Sequence, residues 1–322
     1  MKKNKIPLGD AEASFFLVGS VRSGTTLLRL ILGNHPDIAR CDEMEYVTPA
    51  IVEHGGIPDD ISGYKEFLST EKGFWLSNYS VLDSESFVEV VRDFFKQLKK
   101  TDNKPILGAV VHKHFEKLPL IWPNAKYIFM VRDPRDVARS CVKMGWGGSA
   151  WGGSEFWARA YESWLELSKK ISDDMKIEIA YEDLISEPVE TIKKLCDFLG
   201  VKYTPSMFEI DGHTTYVKPD AKQARSWRNS ATNDEIAQVE ARVGEFLEDS
   251  GYKPSGLPPL RLNLYNKMRI SIQGILNRSI FRIKRYGLPL SLAQVITNRF
   301  SLGSFNKKVK IRTHNINIKY HK

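Results

Sequence analysis

The stretch Gly19-Ser20-Val21-Arg22-Ser23-Gly24-Thr25-Thr26 constrains this 322-residue chain most. It follows the apolar run Ala13–Val18, which reads as a buried strand, and it opens the amphipathic run Thr25–Gly33, which reads as a helix. A glycine-rich turn between a strand and a helix aims successive backbone N–H groups and the positive end of the helix dipole at one spot, which favours an anion. The spacing Gly-x4-Gly is that of a P-loop, but Thr25 stands where a nucleoside triphosphatase carries its lysine. The cation sits inside the loop instead, as Arg22. Triphosphate chemistry needs the lysine and a Mg²⁺ site. The loop therefore predicts a shorter anionic group, such as one phosphate joined to a sulfate.

Further apolar runs at Ile106–Val111 and Tyr127–Val131 predict strands, and Lys176–Ala180 is another strand candidate. Amphipathic segments at Ser86–Lys99, Pro134–Met144, Glu155–Lys170, Pro188–Leu199 and Thr232–Asp249 predict helices between and after them. The alternation predicts an α/β protein with a P-loop-like three-layer fold, its central mostly parallel sheet flanked by helices. Arg132 stands where the strand Tyr127–Val131 ends, the position at which α/β sheets meet their ligands. Asp133 is placed to cap the following helix, Pro134 to open it and Asp136 to complete a capping box. Ser140 follows about two turns into that helix.

Charge divides the chain. Residues 251–322 hold 15 Lys and Arg and no acid, which leaves 32 basic against 39 acidic residues in 1–250. The net charge of +8 thus belongs to a basic C-terminal extension, and a nucleic-acid partner is not expected. The composition Lys-Pro-Ser-Gly-Leu-Pro-Pro separates a domain over 1–252 from the extension over 253–322. Within the extension Leu264, Met268, Ile272 and Ile275 recur at helical spacing among cations. Such a face suits an anionic membrane surface, and it equally suits packing on the domain or on a second subunit in a homodimer. Cys41, Cys141 and Cys196 are too scattered for a disulfide framework and read as reduced thiols. No apolar run is long enough to span a bilayer and residues 1–13 have no signal-peptide core. The expected location is cytoplasmic, peripheral at a membrane if the extension reaches lipid.

Phe16 to Leu28, with Asn34-His35-Pro36-Asp37 after it, resembles the 5′-phosphosulfate loop of sulfotransferases that use 3′-phosphoadenosine 5′-phosphosulfate (PAPS). The nearest likeness is to the branch of bacterial and tyrosylprotein sulfotransferases, over roughly residues 13–252. The resemblance implies that Arg22, Ser23, Gly24, Thr25 and Thr26 hold the 5′-phosphosulfate. Arg132 and Ser140 match the family's 3′-phosphate pair, with its eight-residue separation. Arg225-Ser226-Trp227-Arg228 resembles the last cofactor-binding stretch, with Arg225 or Arg228 reaching phosphate and Trp227 closing over the nucleotide. Glu43, 21 residues after Arg22, falls on the catalytic glutamate that takes the acceptor's proton, and His112 and His114 are reserves for that role. Arg22, then Lys113, would stabilise the leaving group; the family's Lys-x-Pro is Lys113-His114-Phe115 here. Glu45 occupies the place of a second arginine of the tyrosylprotein enzymes.

The function implied is in-line transfer of a sulfuryl group from PAPS to a hydroxyl of a saccharide, glycolipid or other small acceptor, with no metal ion. A tyrosylprotein sulfotransferase, a non-catalytic nucleotide-binding protein and a kinase-like phosphotransferase are the alternatives. Residues 46–103 and the run Gly145–Gly153 are the expected acceptor-facing parts. The glycines and tryptophans of that run suit a lid or a sugar-stacking platform, and equally a loop whose tryptophans tuck into the core.

Overall fold

The computed structural model describes residues 12–209, 224–300 and 304–320. Residues 1–11, most of the stretch read as lacking a signal-peptide core, lie outside the described residues. Five strands form one parallel sheet: β1 Phe15–Gly19, β2 Asp42–Glu43, β3 Gly108–Val111, β4 Lys126–Val131 and β5 Lys176–Ala180, in the order β2-β3-β1-β4-β5. The longer helices are α1 Thr25–Gly33, α2 Phe87–Asp102, α3 Pro134–Lys143, α4 Ala150–Ser168, α5 Pro188–Leu199 and α6 Asn233–Val243. Three more, α7 Leu264–Tyr286, α8 Leu288–Arg299 and α9 Ser304–Tyr320, make up most of the extension. The chain folds as the three-layer α/β protein that the alternation of runs predicts.

The centre of the sheet explains its sequence. Every residue of β1 is buried, so the strand reads as an unbroken apolar run rather than an alternating one. Phe16, Val18, Tyr127 and Phe129 join the core formed with α2 and α4. Phe15, Leu17, Ile128 and Met130 join the opposite core with α1 and α5. Burying each such side chain stabilises the fold by about 1.5–3 kcal/mol. The two cores clamp β1, and its carboxyl end at Gly19 is held where the glycine-rich turn begins.

Three boundaries depart from expectation. The segment Thr232–Asp249 is two helices, because Gly244 takes φ +56° and ends α6 before Phe246–Asp249 resumes. Gly152 and Gly153 belong to α4 rather than to a mobile loop. Ser149 caps that helix, its Oγ accepting from the Gly152 N–H at 3.2 Å. Asp136 completes no capping box: Asp133 caps α3 through the Arg135 N–H, and the Asp136 carboxylate reaches across to Ser226 and Trp227.

The extension rests on the body through one face of α7. Arg269 forms a forked ion pair with Asp234, at 2.6 and 3.1 Å. Asn277 Nδ2 donates to the Gly148 carbonyl at 2.8 Å, and Phe281 lies against Gly145. Among the described residues no helix is long and apolar enough to cross a membrane.

Candidate active site

The carboxyl ends of β1, β3 and β4 converge on the turn after β1. Gly24 precedes α1 with φ +103°, and a Cβ there would fall 2.3 Å from the Tyr181 ring, so only glycine fits. No side chain caps α1, which leaves its first-turn N–H groups to a ligand. The loop braces itself internally: Ser23 Oγ donates to the Ser20 carbonyl at 2.6 Å. Arg22 is held at φ +68°, a left-handed conformation that costs a non-glycine residue energy and turns its side chain out of the loop.

That side chain reaches the second anchor. Arg22 Nε donates to Ser140 Oγ at 2.9 Å, and Arg132 Nη1 donates to the Arg22 carbonyl at 3.3 Å. The guanidinium of Arg132 stacks on Tyr181 at 4.1 Å, and its buried Nε has no hydrogen-bond partner among the described residues. A buried donor without a partner is costly and points to a missing acceptor. Arg22, Arg132 and Ser140 thus form a single cluster. The sequence assigns Arg22 to the 5′ loop alone; the structure sets its head beside the 3′ pair. Tyr181, just past β5, was not foreseen, although an aromatic at the carboxyl end of a strand is a readable signal.

The segment 225–228 lies alongside α3. The Trp227 N–H donates to Asp136 at 2.8 Å, its indole Nε1 donates to Asp133 at 2.8 Å, and Arg135 stacks on the ring at 3.8 Å. Trp227 is therefore buried in a bracket that fixes α3. Arg225 and Arg228 are exposed beside it, without an ion pair among the described residues. Asp133 is saturated by Arg135, two contacts of 2.8 Å, which keeps its carboxylate from pairing with Arg132.

Glu43 ends the edge strand β2, paired with Val110 of β3, and it is exposed rather than set in a dry cleft. Lys72 is its neighbour: burial holds the Lys72 ammonium pKa down and Glu43 pulls it back up. Glu45, two residues on, is the carboxylate that burial pushes above the usual range, and it accepts a hydrogen bond from the His112 N–H. His112 Nδ1 lies 2.9 Å from the Gly19 carbonyl. A carbonyl only accepts, so Nδ1 carries the proton, and Nε2 makes no hydrogen bond among the described residues. Glu45 and His112 thereby tie β2, β3 and the phosphate loop together. Lys113 and His114 follow at the end of β3, both exposed.

A cavity of about 430 Å³ opens beside this cluster. Val21, His112 and Lys113 line it from the sheet, Trp146 and Phe156 from the region of α4, and Arg278 from α7. Within the run Gly145–Gly153, Trp146 lines this cavity. Trp151 instead stacks under Arg242 at 4.8 Å. Arg278 lies far outside the stretch that sequence reasoning assigned to the site. Only its fold placement reveals it.

A model described as the sulfotransferase family matches residues 14–205, from β1 to beyond α5. The chain belongs to the sulfotransferase family. It is 26% identical over 283 residues to a putative protein-tyrosine sulfotransferase of Caenorhabditis briggsae, covering 78% of this chain and 93% of that one. It is 25% identical over 268 residues to a protein-tyrosine sulfotransferase of Drosophila melanogaster, covering 76% of this chain and 52% of that one, so it spans about half of the fly protein. The sulfotransferase domain of the Synechococcus PCC 7002 olefin synthase shares the fold, with a TM-score of 0.56 at 21% identity over 80% of this chain and 100% of that one. The sulfotransferase domain of the curacin biosynthetic pathway does so with a TM-score of 0.53 at 18% identity over 78% of this chain and 100% of that one. The matched family region holds Arg22, Glu43, Lys113, Arg132 and Ser140 of this sulfotransferase, and it ends before Arg225 and α7.

Proposed function

We propose that this sulfotransferase draws its sulfuryl group from PAPS and transfers it in line to a hydroxyl bound in the cavity beside Val21 and Lys113. The observation that carries the reading is the contact of Arg22 with Ser140, which joins a phosphate-type loop to a separate cation and hydroxyl pair within one site. The uncapped first turn of α1 fits a 5′-phosphosulfate, and the unpartnered Nε of Arg132 fits a 3′-phosphate. In the transfer the acceptor oxygen forms a bond to sulfur as the bond from sulfur to the 5′-phosphate oxygen breaks. The acceptor proton passes to Glu43, and 3′-phosphoadenosine 5′-phosphate (PAP) leaves with the electron pair. Lys113 and the α1 N-terminus offset the charge that grows on the departing phosphate.

The named relatives support a tyrosyl hydroxyl of a protein as the acceptor, ahead of the saccharide or glycolipid expected from the sequence. A sugar is the second reading, carried by Trp146 in the cavity wall. Incubation with labelled PAPS and a panel of tyrosyl peptides, saccharides and glycolipids tests both. The expected result is formation of PAP with a mass gain of about 80 daltons, one sulfuryl group per transferred hydroxyl, on a tyrosyl peptide. PAP formation with none of the panel, at concentrations that saturate the protein with PAPS, would leave a nucleotide-binding protein without transfer activity.

A further inference from the structure

We propose that α7, α8 and α9 seat the enzyme on the surface of a bilayer rich in anionic lipid. Of the 23 large apolar side chains exposed among the described residues, 15 lie between Leu262 and Phe305. On α7 they include Ile272, Ile275 and Leu276, each more than half exposed at 53%, 57% and 54%. These are not the residues that hold α7 on the body. Arg269, Gln273, Asn277, Arg278 and Phe281 do that, along the other side of the helix. The apolar side chains thus form an outward face that nothing in the described structure covers.

Charge identifies what covers it. Residues 251–322 carry 15 Lys and Arg without one Asp or Glu. Arg269 is matched by Asp234 of the body, but the extension offers no carboxylate to any of its own cations. An apolar face flanked by cations with no Asp or Glu of the extension among them suits the interface of an anionic leaflet, where acyl chains take the apolar side chains and headgroups take the cations. A second copy fits less well. Face to face, two such surfaces would set like charges together. The body of another copy offers only eight exposed large apolar residues, spread along the chain from Val52 to Val189. Arg278 lies on the body side of α7 and lines the cavity, so docking through the outer face leaves the cavity wall intact.

Flotation of the full chain tests this, with vesicles of phosphatidylcholine alone and of equal parts phosphatidylcholine and phosphatidylglycerol. The expected result is flotation with the mixed vesicles only, reduced about tenfold by the double substitution Ile275→Asp and Leu276→Asp. Both positions are exposed, so the variant should keep the melting temperature and PAP affinity of the parent, measured on the same samples. Failure of the parent to float with mixed vesicles, or equal flotation of parent and variant, would overturn the proposal. A dimer that the double substitution dissociates, with no flotation, would assign the face to a second copy instead. PAP binding is read separately, so loss of the docking idea leaves the reaction proposed above untouched.

Discussion

Glu43 and Glu45 stand two residues apart on one edge of the sheet, and their surroundings separate them. Glu43 is exposed beside Lys72, whereas Glu45 turns inward to accept from the backbone of His112. Replacing Glu43 by Gln should lower kcat by about 10²–10⁴-fold, the usual worth of a general base, with PAP affinity unchanged. A near-normal kcat in that variant together with a collapse in His112→Gln would move the base to His112. For Glu45 the sign follows from burial. Its folded-state pKa lies above the unfolded one, so its contribution to stability is complete below the ordinary carboxylate range and is lost as pH rises through the raised value. Glu45→Gln keeps an acceptor for the His112 N–H and removes the titration. Its melting temperature should match the parent at acid pH and exceed it increasingly toward neutral pH. A gap that stays constant with pH would contradict this account. Neither carboxylate's setting was readable from the run Asp42-Glu43-Met44-Glu45, because only pairing of β2 with β3 decides which one faces His112.

Elements of regular pattern were readable in the sequence, and those made by tertiary contact were not. β1, β3 and β4 announce themselves as apolar runs and β5 as an alternation of charged and apolar residues, while β2 has two residues, too few for any periodicity to show. The run Gly145–Gly153 misleads by composition: its glycines suggest freedom, yet they serve close approach. Gly148 takes φ +72°, and a Cβ there would fall 2.4 Å from the carbonyl oxygen of Gly274 in α7. Gly148→Val should therefore lift α7 off the body, with a stability loss of about 1–3 kcal/mol. Limited proteolysis reads the outcome, as faster cleavage between residues 253 and 263. Unchanged cleavage and melting would show that α7 is not held at this point. The same contact explains why the reach of the site was hidden. Arg278 enters the cavity wall from more than a hundred residues beyond the glycines it touches, a proximity that no local pattern encodes.

Taken together, the molecule is an acidic α/β body with its proposed anion site at the carboxyl ends of β1, β3 and β4, and a cationic helical extension that closes one wall of the cavity. The strand–loop–helix context and Arg22 pointed to the anion site from the sequence, and the pair Arg132 and Ser140 came from the resemblance. What the sequence left out was their direct contact through Arg22, which turns two anchors into one site. That site is the central claim, and it depends on the 3′-phosphate. Equilibrium binding of PAP against ADP, which lacks that group, tests it most directly. PAP should bind about 10–100-fold more tightly than ADP, the worth of charge-assisted hydrogen bonds to one phosphate, and Arg132→Ala with Ser140→Ala should erase the advantage. Equal affinities for PAP and ADP in the parent protein would contradict the account.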